Sequence, residues 1–378
     1  MRVADLAQGK DNNFNLIRII AAYAVLIQHA FPLALGPKTV VPLEVSLGVT
    51  IGMIAVDVFF MTSGFLVTAS LLARKSTVEF VWARVLRIFP ALFVMLMLTV
   101  FGLGLFFTTL SPSSYLLNYW TRTYFINGLT LLFGVSYELP GVFATNPYPN
   151  VVNGSLWTMP YELRMYVTLA VAWAVLSLAP RVRSAVFPAL VLVAAFASGL
   201  AVVAARFGLL AESRWLDFFF MFFSGAAFYV LRTRIPLSSR LFVTCLCVWA
   251  AAAAMGHAAF FVVYKLSLAY VLFFVAYVPA GWIRHYNRLG DYSYGVYIYS
   301  FPVQQSVAAL LPGISVLSMV LLSSAFTFVL AGLSWHLIEK RVMGLKGHCV
   351  EGTHRLLPGW LLGMPPSSAA GRERESRG

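Results

Sequence analysis

The segment from Asn15 to Ala30, NLIRIIAAYAVLIQHA, belongs to the first of ten apolar stretches of membrane-spanning length, and no other feature constrains the fold as much. A bilayer core requires about 20 predominantly apolar residues per helix. The stretches fall at approximately 14–34, 51–73, 89–109, 157–179, 184–205, 215–231, 241–256, 258–282, 293–311 and 314–337, with only Gly256 and His257 dividing the seventh from the eighth. Inside lipid the backbone must satisfy its own hydrogen bonds, which selects helices. The expected fold class is therefore all-α, a polytopic membrane protein of about ten transmembrane helices. With 60% hydrophobic and 11% charged residues, the chain has too little polar surface to cover a soluble core.

The basic residues test this arrangement independently. With the N-terminus in the cytoplasm, 21 of the 27 Lys and Arg fall in inside segments and only 4 (Lys38, Arg122, Arg206 and Arg214) outside. That asymmetry is what the positive-inside rule predicts for ten spans with both termini cytoplasmic. It also accounts for the net charge of +13 without nucleic acid, because the basic residues are scattered between apolar spans rather than clustered with aromatics. Cys245, Cys247 and Cys349 form neither a disulfide framework nor a metal-ligand spacing, so no metal is expected. The first apolar segment is too long for a signal-peptide core and has no evident cleavage site, so no cleavable signal is expected.

The membrane domain is expected to occupy 1–346, with a disordered cytoplasmic tail rich in Gly, Pro, Ser, Arg and Glu over 347–378. The longest connection, about 110–156, has loop composition, and its apolar middle from Phe125 to Val135 is too short to cross. It is read as a re-entrant or interfacial piece over the outer mouth. Asn153-Gly154-Ser155 matches a glycosylation sequon, a pattern common by chance. The chain contains no internal repeat, against the usual transporter pattern.

Several polar residues lie where lipid would penalise them. Arg18 and His29, eleven positions apart, share one face of the first helix and are separated by about 16 Å along its axis. An ionisable residue inside an apolar span is a functional candidate. The plainer alternative makes Arg18 an anchor and His29 a packing residue. Asp57 lies at a depth comparable with His29 and would orient the imidazole if the two helices are neighbours; otherwise it simply meets water at a helix end. Ser63-Gly64 permits close helix approach or a local break. Arg84 and Arg87, three apart, share a helix face at the inner boundary, suited either to phosphate or to topological anchoring. Pro90 favours ending one helix and starting another.

In NGSLWTMPYELRMY, Glu162 stands at the outer end of a span, and Ser155, Trp157 and Tyr161 join it in a set suited to a sugar. An interfacial aromatic belt explains Trp157 and Tyr161 equally, though not Glu162. LGDYSYGVYIYSFPVQQ makes the ninth span unusually polar. Lys265 is long enough to snorkel outward.

Taken together, the chain resembles the membrane-bound acyltransferase family 3, the integral-membrane O-acyltransferases of bacterial surface polysaccharides. The likeness runs from about Asn15 to Gly344. Arg18 and His29 match its Arg-x10-His, Phe59 to Phe65 its FFxxSGF, Arg84, Arg87 and Pro90 its RxxR with proline, and Ser155 to Glu162 its SLWTxxxE. The late SYGxYIY and the IEK at Ile338 to Lys340 follow. Ser300 stands where many members carry a second His.

The resemblance implies transfer of an acyl group, most often acetyl, from cytoplasmic acyl-CoA to a hydroxyl of a cell-surface or lipid-linked glycan, at a bacterial inner membrane. The CoA thioester is a co-substrate; no bound cofactor is expected. His29 would be the general base or a transient acyl carrier, Arg18, Arg84 and Arg87 would hold the donor, and Glu162 and Asp57 would orient His29 or the acceptor. Succinyl or other acyl transfer to a glycan or small metabolite is the nearest alternative. A proton-coupled transporter or a non-catalytic scaffold is more distant, because neither uses the RxxR or SGF elements.

Overall fold

Helices cover the apolar runs, in places beginning several residues before them. A computed structural model describes every residue except Gln8, Lys10, Lys75, Phe133 and 357–378. The principal helices are α1 (Phe14–Leu35), α2 (Ile51–Arg74), α3 (Thr77–Met97), α4 (Tyr119–Thr130), α5 (Met159–Ser177), α6 (Pro180–Arg206), α7 (Arg214–Val230), α8 (Ser239–Met255), α9 (His257–Tyr277), α10 (Ser293–Leu310), α11 (Val316–Ser334) and α12 (Lys346–Leu356). Helix accounts for 78% of the structure, and no strand occurs among the described residues. Each of the ten expected stretches coincides with a helix. Six helical segments are long and apolar enough to cross a membrane: Phe14–Leu35, Ile51–Ala73, Thr77–Phe107, Arg181–Arg206, His257–Tyr277 and Val316–Leu356. The others are shorter or carry more polar residues, as α8 does with 17 residues.

Local chemistry sets several boundaries. Ser76 caps α3 by accepting the Glu79 amide, and Ser315 caps α11 by accepting that of Ser318. Gly256, at φ +120°, makes the reversal between α8 and α9 that a side chain would strain.

Two close approaches set the packing. A Cβ on Gly64 of α2 would lie 1.9 Å from the Phe222 carbonyl oxygen of α7, and one on Gly225 of α7 would lie 2.0 Å from the Met61 carbonyl oxygen of α2. Ser63-Gly64 therefore brings backbones together, and α2 continues through it unbroken. Phe14, Phe65, Phe273 and Tyr277 pack beside this contact, with Phe65 and Phe273 centroids 4.5 Å apart. α10 lies at the centre, against α1, α3 and α11, and is buried along most of its length. Its Tyr, Ser and Gln side chains consequently bond within the protein: Gln304 donates to the Leu26 carbonyl and Gln305 to those of Tyr148 and Val151.

Two expectations are corrected. α3 runs through Pro90 without a break; packing retains the helix, and Tyr294 donates to the Ile88 carbonyl just before the proline. The start of the expected tail, 347–356, is helical within α12, which packs on α3 with Trp82 Nε1 donating to Thr353 Oγ1 at 2.9 Å; the remaining tail, 357–378, lies outside the described residues. Asn153 is fully buried and donates to the Ile298 carbonyl, so the sequon is inaccessible.

Candidate active site

A narrow crevice of about 40 Å³ lies between α1, α2, α5 and α10. Arg18, Phe59, Phe60, Thr158, Glu162 and Tyr297 are among its walls. That volume holds about three waters, so a thioester can enter only if wall side chains move.

Arg18 reaches this crevice from α1 and donates to Asp291 at 2.5 Å. The same carboxylate oxygen accepts Arg87 Nη2 at 2.6 Å, while Arg87 Nη1 donates to Glu339 at 2.7 Å. Ser293 donates to the other Asp291 oxygen, and Ser334 donates to Glu339 at 3.0 Å. Two guanidiniums and two carboxylates thus tie α1, α3, the start of α10 and the end of α11 into one neutral network. Burial pushes the Asp291 carboxyl up, but Arg18, Arg87 and the Ser293 bonds outweigh it and hold the group below the ordinary carboxylate range.

The two RxxR arginines therefore differ. Arg87 spends both terminal nitrogens on carboxylates. Arg84 makes no ion pair among the described residues: its guanidinium lies 5.8 Å from the Tyr166 ring centre, and its Nε is buried without a partner. Tyr166 in turn donates to Glu162, which also accepts Ser63 Oγ at 3.0 Å. Glu162 thus stands between Arg84 and the crevice, fixed by neutral hydroxyls from α2 and α5.

His29 sits farther along the Arg18 helix. Its ring meets Phe301 of α10 edge-on, with centroids 5.1 Å apart, and its Nδ1 is buried without a hydrogen-bond partner. The other side of Phe301 meets Gly154, where a Cβ would lie 2.7 Å from the ring. Ser155, the next residue, is fully buried with an unpartnered Oγ. Phe301 thus connects the His29 ring to the Gly154-Ser155 turn, and the missing side chain at Gly154 makes that contact possible. Trp157 and Tyr161 pack against Phe218 at 5.4 and 5.3 Å. Phe218 stacks on Phe60 at 4.4 Å, so this aromatic group forms the wall behind the crevice.

Asp57 does not adopt its expected position beside His29. Lys265 Nζ donates to both of its oxygens, at 3.1 and 2.9 Å, and Tyr264 donates to one at 2.9 Å. A buried carboxylate takes the nearest cation, and Lys265 provides it from α9; Lys265 is 4% exposed and does not snorkel. The sequence reading did not single out Asp291 as a partner of Arg18 or pair Asp57 with Lys265. A signal existed for the second pair, since Asp57 and Lys265 stand within eight positions of their helix starts.

Comparison with known proteins fits this constellation. The chain is 31% identical over 350 residues, covering 88% of it and 96% of the relative, to a protein named O-acetyl transferase from Shigella phage Sf6. It is 29% identical over 371 residues, covering 90% of it and 95% of the relative, to nodulation protein 10 of Rhizobium leguminosarum bv. viciae. No solved structure matches it. The acyltransferase domain family matches residues 11–336, nearly the whole helical bundle, and the chain belongs to that family of transferases.

Proposed function

We propose that this protein is an O-acetyltransferase of ten spans with cytoplasmic termini, resident in a bacterial inner membrane, that moves acetyl from acetyl-CoA to a glycan hydroxyl. The observation that carries the reading is the arrangement on α1. Arg18 enters a crevice shared with Glu162, and His29 holds an unpartnered ring nitrogen farther along the same helix. The acetyl group is suggested by the name of the phage relative. Glycan as acceptor rests on the motif resemblance.

In this mechanism the donor approaches from the Arg84 end. Arg84, which makes no ion pair among the described residues, pairs with CoA phosphate. Arg18 and Arg87 keep their carboxylates and fix the shape of the crevice. The acceptor lies near Ser155, Trp157 and Tyr161. His29 takes the acceptor hydroxyl proton as its oxygen attacks the thioester carbonyl. The new C–O bond forms, the C–S bond breaks, and the departing thiolate recovers the proton from the imidazolium. Glu162 orients the acceptor. Asp57, committed to Lys265, has no role in this step.

The test is transfer of labelled acetyl from acetyl-CoA into the glycan fraction of membranes, wild type against His29→Ala. Label that depends on His29 supports the assignment. Label that survives the substitution overturns the role of His29, and its absence from wild type overturns the donor or the acceptor.

A further inference from the structure

α2 presents two working faces. Val56, Phe59 and Phe60 line the crevice, whereas Met53, Ile54 and Asp57 line a second cavity, of about 460 Å³, walled by α6, α7 and α9. The stacked Phe60 and Phe218 rings lie in the partition on its crevice side. A volume of this size lies within the range of small-molecule sites, about 300–1,000 Å³.

The polar groups of the second cavity are costly ones. Asp57 and Lys265 are 2% and 4% exposed. An ion pair at that depth brings little net stability over apolar side chains of similar size, so its presence beside open volume points to a ligand. Arg206 lines the same cavity and has a buried Nε without a partner. Asp217 lines it too; its carboxylate accepts no side-chain hydrogen bond among the described residues and feels Lys265 and Arg214 only at longer range.

The arrangement of charge limits the ligand class. Lys265 is paired with Asp57 at 2.9 Å, and Arg206 lies 3.9 Å from Glu212. Carboxylates from Glu44, Asp57, Glu212 and Asp217 outnumber the cations Arg206, Arg214 and Lys265. A phosphate or carboxylate ligand would have to displace an existing partner and face that surplus. Unused acceptors remain on Asp217, and unused donors on Arg206 Nε and on the third proton of Lys265. A ligand that both donates and accepts within a short span, while carrying no charge, satisfies them together. Sugar hydroxyls do this; Phe261, also in the wall, lies 5.1 Å from the Arg206 guanidinium and 5.5 Å from the Lys265 ammonium and holds both cations at the cavity.

We infer that this cavity is a saccharide-binding site separate from the transfer crevice, with sugar hydroxyls bridging Asp217 to the Lys265–Asp57 pair. The inference holds whatever reaction the crevice performs.

The experiment measures thermal melting of the purified full-length protein in detergent against a titrated panel. The saccharide probes are glucose, galactose, mannose, N-acetylglucosamine and their methyl glycosides; the charged probes are choline, ethanolamine, citrate and inorganic phosphate. A saturable rise in melting temperature is expected with at least one saccharide. Ala205→Trp, which fills the cavity, should abolish it, and Asp217→Asn should weaken the apparent affinity about tenfold, the size of one charged hydrogen bond. If Ala205→Trp fails to fold, Asp217→Asn decides. Saturation by charged probes alone, by no probe, or by a saccharide with affinity unchanged in Asp217→Asn would overturn the assignment.

Discussion

Arg18 and Arg87, from two different helices, are held 2.5 and 2.6 Å from the same carboxylate oxygen of Asp291. All three side chains are at most 20% exposed. Removing the carboxylate strands Arg18 and leaves Arg87 with Glu339 alone, so Asp291→Ala should cost about 3–5 kcal/mol and lower the melting temperature of the purified protein strongly. The acid side gives a sign check. Because the folded carboxyl titrates below its ordinary value, its stabilisation is complete above about pH 4 and fades only as pH falls through the lower folded value. The melting difference between wild type and Asp291→Asn should therefore stay constant from pH 8 to about 5. A difference that shrinks within that window would mean that the network does not hold Asp291 ionised.

The RxxR pair should separate into two phenotypes. Arg87 bonds two carboxylates, and Arg87→Ala leaves Asp291 with Arg18 and Ser293 and Glu339, 1% exposed, with Ser334 but no cation. That substitution should reduce folded protein in the membrane. Arg84 makes no ion pair among the described residues and feels Glu162 only at longer range, so Arg84→Ala should leave the amount of protein near wild type and raise the KM for acetyl-CoA about tenfold or more, the loss of one charge-assisted phosphate contact. Equal effects of both substitutions on KM, with neither affecting folding, would refute this division.

Helix positions were legible in the sequence because hydropathy is local: each apolar run needs no partner to declare itself. The motif residues were legible for the same reason, and Arg18, Glu162 and the Phe59–Phe60 pair do meet at one crevice. Partners were not. Asp291 lies 273 positions from Arg18, and Lys265 lies 208 from Asp57, separations at which a single sequence carries no register. Spacing placed Arg84 and Arg87 on one face but could not say that a distant Glu339 would claim one of them. Pro90 misled because intrinsic propensity is a weak guide where tertiary packing is dense.

Gly64 and Gly225 interlock α2 with α7, and a Cβ at either would overlap backbone rather than a movable side chain. Gly64→Ala or Gly225→Ala should therefore cost about 3 kcal/mol or more. Gly332→Ala is the control: its Cβ meets nothing within 4 Å, and it lies within α11, where alanine is the better helix former. Detergent melting curves of the three variants should show two large losses and one neutral or slightly raised value. Equal behaviour would mean that α2 and α7 are not in backbone contact.

His29 can serve transfer as a base or as an acyl carrier, and its surroundings favour the base. No carboxylate bonds its ring among the described residues; Phe301 packs edge-on against it, and its Nδ1 is buried without a partner. A neutral imidazole in such a place keeps a free nitrogen for an arriving hydroxyl, and the imidazolium, which burial disfavours, gives its proton up readily to the departing thiolate, whereas an acyl-imidazole formed there must be shielded from water until the acceptor comes. If His29 is the base, His29→Ala should lower the rate about 10²–10⁴-fold with unchanged acetyl-CoA binding. No acetyl group should then be found on the protein after incubation with donor alone and rapid acid quench. Intact-mass analysis of the quenched wild type decides the matter. An acetyl adduct that maps to His29 and disappears on addition of acceptor would replace the base by the carrier.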